Sequence, residues 1–216
     1  MSIGRKVLLP MSTSTFLREQ ATRRAFVRRS VSAFMPGEKI EDALAAAATL
    51  TPQRINTILT RLGEGVTKLD EAERVTEHYL DALDKVKAAG LDAQISVKPT
   101  QLGLDLDADQ CQRNLDRICE KGERVGNVPV WIDMENSPYV EPTLKLFRKS
   151  RERYNGVGIA IQAYLYRSAK EIESLIPLGP AIRIVKGAYL EPAEIAFPKK
   201  SDVDENFYTL CARLLQ

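Results

Sequence analysis

The chain has 216 residues, 44% hydrophobic and 28% charged, which suits one globular domain with a sizeable core. Its net charge of +2 conceals seven Lys or Arg against Glu19 alone in residues 1–37, leaving the remainder about four charges negative, so no broad basic field for nucleic acid follows. The longest apolar stretch, Ala43 to Leu50, falls far short of the roughly 20 residues of a membrane span.

Residues 1–50 read as an N-terminal helical segment of two or three lead-in helices, broken at Pro36 and Gly37. The Arg-rich, acid-poor start, with Arg23, Arg24, Arg28 and Arg29, fits either a mitochondrial transit peptide or the solvated face of a leading helix. From about residue 60, short apolar runs alternate with amphipathic segments, the pattern of repeated strand-helix units on a parallel sheet. A short first strand is expected around Leu59 to Val66. Asp70 with Glu73 reads as a capping box opening a helix whose stripe is Val75, Tyr79, Leu83 and Val86, ended by Gly90. AQISVK follows as a strand, and a helix opening near Asp107 carries Cys111, Leu115, Ile118 and Cys119 on one face. VPVWID is the third strand, after which Pro138 or Pro142 can start a helix. GVGIAIQ is the fourth strand, and Ser168 with Glu171 reads as a second capping box. AIRIV is the fifth, and a last helix from Ser201 carries Val203, Phe207, Leu210, Cys211 and Leu214 at helical spacing. Residues 51–216 thus supply about five βα units, and the spacing fits both a barrel and a doubly wound sheet.

Three cysteines do not make an extracellular disulfide framework, and Cys111 and Cys119, eight apart on one helix, lie about 12 Å apart, too far to bridge. They read as reduced packing residues. His78 has no second ligand at useful spacing, so no metal site is expected. Gly156 and Gly158 have no third glycine at the distance a GxGxxG phosphate fingerprint needs, which disfavours a nicotinamide fold.

Side chains alternate across a strand, so parity sorts them by face. Ile95, Val97, Val130, Ile132, Ile159, Ile161, Ile182 and Ile184 form the aliphatic set that helices would cover. The opposite parity leaves Lys98, Asp133, Gln162 and Arg183 on the inner face near the C-terminal strand ends, the edge where active sites of such folds lie. Four converging polar groups imply either a structural ion-pair network of Asp133 with Lys98 and Arg183, or a polar ligand. Gly187 and Ala188, after Lys186, are small enough for backbone amides to approach an anion.

The segments RLGEGVT, ISVKPTQLGL, WIDMENSPYV, GIAIQAYLYRS and IRIVKGAYLEP, in that order over about residues 24–216, resemble the monofunctional proline dehydrogenase family. The resemblance implies an α/β fold, a (βα)8 TIM-type barrel. It also implies FAD as cofactor, L-proline oxidised to Δ1-pyrroline-5-carboxylate, and electrons passed to a membrane quinone by a cytoplasmic enzyme attached peripherally to the inner membrane. Lys98 would help neutralise the proline carboxylate, Asp133 would organise the basic groups, Gln162 would hydrogen-bond the flavin, and Arg183 would lie near its N5 edge. Val185 would offer backbone contact to the ring, Lys186, Gly187 and Ala188 would take the ribityl and phosphate portion, and Ile184 and Tyr189 would wall the substrate. The family's later strands and its paired carboxylate-gripping arginines have no counterpart before Gln216. The expectation is an incomplete barrel that binds FAD weakly alone, completed by a second chain or acting as a non-catalytic module. A Schiff-base lyase using Lys186 or Lys98 is the competing enzyme class.

Overall fold

A computed structural model describes residues 35–37, 39–63 and 65–216, so the lead-in helices and Arg-rich segment expected before Met35 lie outside the described residues. The chain divides into two units, the first ending at Arg54 and the second running from Ile55 to Gln216. The described part of the first holds helix α1 (Ile40–Leu50), whose Asp42 side chain accepts from the Lys39 N–H, and a one-turn 3-10 helix, Thr51–Gln53.

The second unit alternates strand and helix throughout: β1 (Thr57–Thr60), α2 (Leu69–Ala88), β2 (Ala93–Val97), α3 (Ala108–Arg124), β3 (Val130–Ile132), α4 (Val140–Arg151), β4 (Val157–Gln162), α5 (Ser168–Leu175), β5 (Ala181–Val185) and α6 (Lys200–Leu214). All five strands are parallel and lie in sequence order, β1-β2-β3-β4-β5. A doubly wound sheet reverses its order at a switch point, whereas a barrel adds each strand beside the last. The order therefore decides for the barrel-type α/β architecture.

Sequence and packing agree on α2 and α3, whereas on α6 only Leu210 of the expected stripe is buried. On α2 the stripe Val75, Tyr79, Leu83 and Val86 is buried. The helix ends in a left-handed Gly90 (φ +61), where the Leu91 N–H reaches the Val86 carbonyl and the Gly90 N–H that of Lys87, so the last carbonyls are satisfied. Asp107 caps α3, its side chain accepting from the Asp109 and Gln110 N–H groups at 2.9 Å.

Three local expectations are corrected. The first strand ends at Thr60 and not Val66, because the Arg61 N–H leaves the ladder to donate to Tyr79 Oη at 3.0 Å and Gly63 follows at φ +156. Asp70 and Glu73 form no capping box. Glu71 instead accepts from the Thr67 N–H and hydroxyl, while Asp70 pairs with Arg74. Ser168 does not cap α5 through Glu171; its hydroxyl donates to the Gln162 carbonyl at 2.5 Å, tying the helix start to the end of β4, and Glu171 pairs with Arg167. After β3, Pro138 sits in a 3-10 turn (Ser137–Tyr139) and Pro142 in the first turn of α4, so both prolines serve the helix start.

Ile95, Val97, Val130, Ile132, Ile159 and Ile161 are all fully buried under the helix layer. Gly122 on α3 shows how close that layer comes, since a Cβ there would stand 3.2 Å from Val130 Cγ2. Cys111 and Cys119 are free and buried. Among the described residues no helix is long and apolar enough to cross a membrane.

Candidate functional site

The inner face is polar, and its residues touch one another as strand parity requires. Trp131 Nε1 donates to Gln94 Oε1 at 2.5 Å, joining β3 to β2. The Trp131 ring lies over Gly158 of β4, whose missing side chain leaves room for it, and the Arg183 guanidinium of β5 stands 5.6 Å from the ring centroid. Arg183 then reaches Asp133 Oδ1 at 2.5 Å, and Ser96 Oγ donates to the same oxygen at 2.6 Å. Side chains of β2, β3 and β5 thus converge on one carboxylate just beyond the strand ends. The pair is about a quarter exposed, enough that its attraction is weakly screened and its desolvation incomplete.

Gln162, the last residue of β4, is 2% exposed; its Nε2 donates to the Met134 carbonyl at 3.1 Å. Its Oε1 has no hydrogen-bond partner among the described residues, and neither has Arg183 Nε. Two buried polar atoms without partners, on the same sheet edge, are costly unless a ligand meets them.

Beside this cluster lies a cavity of about 410 Å³, lined among others by Lys98, Thr100, Asp105, Glu135, Tyr139 and Tyr189. Lys98 is half-buried and makes no ion pair within 4 Å among the described residues. Glu135, 7% exposed, accepts from the Thr100 N–H at 3.0 Å and hydroxyl at 2.7 Å. Burial pushes its carboxyl above the usual range against the opposing effect of those bonds and of the Lys98 charge. Tyr139 Oη donates to Asp105 at 2.9 Å, a second tie across the cavity rim.

The remaining expected site residues lie on and after β5. The Val185 carbonyl accepts from the Ala163 N–H at 2.7 Å, and that of Lys186 from the Tyr164 N–H at 3.0 Å. Lys186 Nζ is bound to Asp204 on α6 at 2.6 Å and stands 5.7 Å from the Phe207 ring centroid. Gly187 has φ +107 and lies on the Tyr164 ring, where a Cβ would meet Cδ1 at 2.4 Å, so no side chain fits. Ala188 follows, exposed, and Tyr189 joins the cavity wall. Ile184 alternates with Arg183, is half-buried and lies outside the cavity lining. The structure therefore brings Asp133 and Arg183 into direct contact, sets Lys98 and Tyr189 on the cavity, and leaves Gln162 hydrogen-bonded to neither. Sequence reasoning missed Ser96, Thr100 and Glu135. Ser96 shares the parity of Lys98 and was readable, but Thr100 and Glu135 lie past their strand ends, where alternation no longer assigns a face.

Comparison with known proteins identifies the family. The sequence model described as proline dehydrogenase matches residues 43–216. The chain is 34% identical to proline dehydrogenase 2 of Bacillus subtilis subsp. natto over 215 residues, covering all of this chain and 70% of that one. It is 36% identical to the proline dehydrogenase of Deinococcus radiodurans over 182 residues, covering 82% of this chain and 58% of that one. In structure it resembles proline utilization A of Bdellovibrio bacteriovorus inactivated by N-propargylglycine, with a TM-score of 0.75 at 24% identity over 88% of this chain and 24% of the other, which carries the fold alone. With a family match over four-fifths of its length and relatives above 30% identity, the chain belongs to the proline dehydrogenase family.

Proposed function

We propose that this chain oxidises L-proline to Δ1-pyrroline-5-carboxylate, with FAD held at the C-terminal edge of the sheet and the electrons passed to a membrane quinone. The observation that carries the reading is the pair of buried, unpartnered atoms, Gln162 Oε1 and Arg183 Nε. One is an acceptor and the other a donor, and the edge of an isoalloxazine ring offers an N–H between carbonyl and ring-nitrogen acceptors, so a flavin answers both. The backbone of Val185, Lys186, Gly187 and Ala188 would take the ring and the phosphate-bearing chain, with Gly187 held bare by the Tyr164 ring beneath it.

A flavin held there would supply the hydride acceptor for the ring carbon next to the proline nitrogen, the proton of that nitrogen passing to solvent as the C=N bond forms. The protein supplies position and charge. Asp133 and Ser96 hold the Arg183 guanidinium in one orientation, so its charge would already be in place to offset negative charge on a reduced flavin. Lys98 faces the cavity as a cation with no ion-pair partner among the described residues, available to a substrate carboxylate. Tyr189 closes one wall. Lys186, with its ammonium engaged by Asp204, is poorly placed to serve as the amine nucleophile of a lyase.

Visible spectroscopy of the purified chain titrated with FAD tests the reading. At saturating FAD, a flavin band that bleaches on adding proline, with the chain alone or mixed with the C-terminal part of a proline dehydrogenase, is expected, and it should weaken in Gln162→Leu and Arg183→Met. No flavin band and no bleaching with proline under either condition sinks it.

A further inference from the structure

The segment after β5 is anchored at both ends to the end of β4. Its start is held by the Ala163 N–H to Val185 and Tyr164 N–H to Lys186 bonds, and its far end by the Leu165–Ala196 bridge, the Phe197 N–H to Tyr164 carbonyl bond at 2.8 Å and the edge-on Tyr166–Phe197 ring pair. Between these anchors the chain passes over the Tyr164 ring at Gly187 and presents Tyr189 to the cavity. Glu191 then reaches across to the loop after β3. Its two carboxylate oxygens accept separately from the Ser137 N–H and the Ser137 hydroxyl, each at 2.7 Å. On its other side the same short stretch, Glu135 to Tyr139, is bound to the loop after β2 through Thr100–Glu135 and Tyr139–Asp105. The loop after β3 is therefore the hub of the cavity rim, and Glu191 is the spoke that joins the β5 segment to it.

We propose that Glu191 is a positioning residue, whose two-point grip on Ser137 holds residues 187–193, and with them Tyr189, at the cavity wall. Two charge-assisted bonds from one carboxylate to one residue fix both distance and direction, where a single bond would leave the segment free to swing. Tyr189 is 36% exposed and so gains little rigidity from burial, and the lateral tie two residues on adds a fixed point next to it. The kinetic consequence rests on the reading of the cavity as the proline site, while the grip itself is readable without turnover.

The experiment compares the full chain with Glu191→Ala, Ser137→Ala and the double variant by hydrogen exchange and by proline kinetics. In Glu191→Ala, amides of residues 187–193 and 135–139 are expected to exchange about tenfold faster while α2 is unchanged, with a smaller rise in Ser137→Ala. The double variant should exchange no faster than Glu191→Ala, since both remove one contact. The KM for proline should rise about tenfold with kcat within about twofold, the signature of lost ground-state positioning, and Ser137→Thr, which keeps the hydroxyl, should restore both. Unchanged exchange at these loops, an equal rise in α2, or a fall in kcat with KM unmoved overturns the proposal. If the unaltered chain turns over no proline either alone or mixed with the C-terminal part of a proline dehydrogenase, the functional reading fails and the exchange pattern alone decides the grip.

Discussion

Replacing Gly158 with alanine sets a single methyl group against the packing that aligns Arg183. Gly158 pairs with Trp131 on one side and Ala181 on the other, so its backbone is held in two ladders. A Cβ there would stand 2.6 Å from Cε3 and 2.7 Å from Cζ3 of the Trp131 ring, well inside contact distance, and the ring must move. Moving it breaks the bond to Gln94 and removes the surface over which the Arg183 guanidinium lies. Overpacking of this kind costs about 1–3 kcal/mol, the hydrogen bond about 1 kcal/mol and the cation–ring contact about 0.5–1 kcal/mol. Because one displacement causes all three, we expect a loss of about 2–4 kcal/mol. At a urea slope of about 2 kcal/mol per molar, the midpoint should fall by about 1–2 M with the slope unchanged. Trp131 is the sole tryptophan of the chain, so the same titration reads its surroundings directly, and its emission should shift in the folded baseline. A midpoint and an emission band both equal to the parent's would refute the argument, since they would mean that the ring yields at no cost.

Further outcomes follow from the same side chains. Asp133→Ala strands Arg183 and Ser96 without their shared acceptor, and thermal unfolding should show a loss of about 1–3 kcal/mol, partly recovered when Arg183→Met is added. Glu135 is raised in the fold by burial, so its folded form holds a proton more readily than its unfolded form, and the folded state loses stability as pH climbs from 4.5 through the raised value. Glu135→Gln, which can keep both Thr100 contacts, should therefore be more stable than the parent at pH 7, with the advantage fading below about pH 4; an equal gain at both pH values in denaturant titrations would contradict this. Burial pushes the Cys111 thiol up to about 12 and raises Cys119 as well, whereas Cys211 is half-exposed on α6. A thiol reagent should label Cys211 alone in the native protein and the other two only on unfolding, as peptide mass mapping would show.

What the sequence made legible ended where the strands end. Apolar β-branched runs between turn signals marked β2 to β5, and alternation within each run put Asp133 and Arg183 on one face before any contact was known. Order along the sheet was not legible, because periodicity within a strand carries nothing about its neighbour; only the observed β1-β2-β3-β4-β5 succession excludes a switch point. The caps failed for a different reason. A serine or aspartate near a helix start has several acceptors and donors in reach, and Ser168 found the Gln162 carbonyl, a partner set by tertiary structure and invisible to a three-residue spacing rule.

The cavity rim shows that limit at its most consequential. Thr100 and Glu135 are 35 residues apart, and Ser137 and Glu191 are 54 apart, yet each pair is bonded at two points. One partner of each pair, Thr100 and Ser137, sits in a proline-bearing 3-10 turn, Pro99–Leu102 after β2 and Ser137–Tyr139 after β3, where the side-chain period is neither that of a strand nor that of an α-helix. A strand end delivers a residue such as Lys98 or Asp133 to the edge of the sheet, and alternation is enough to find it. Which residues then close the cavity rim depends on loop-to-loop bonds. Those are specified by distance in space, so Glu135 and Glu191 become visible only once the parallel strands have set the loops side by side.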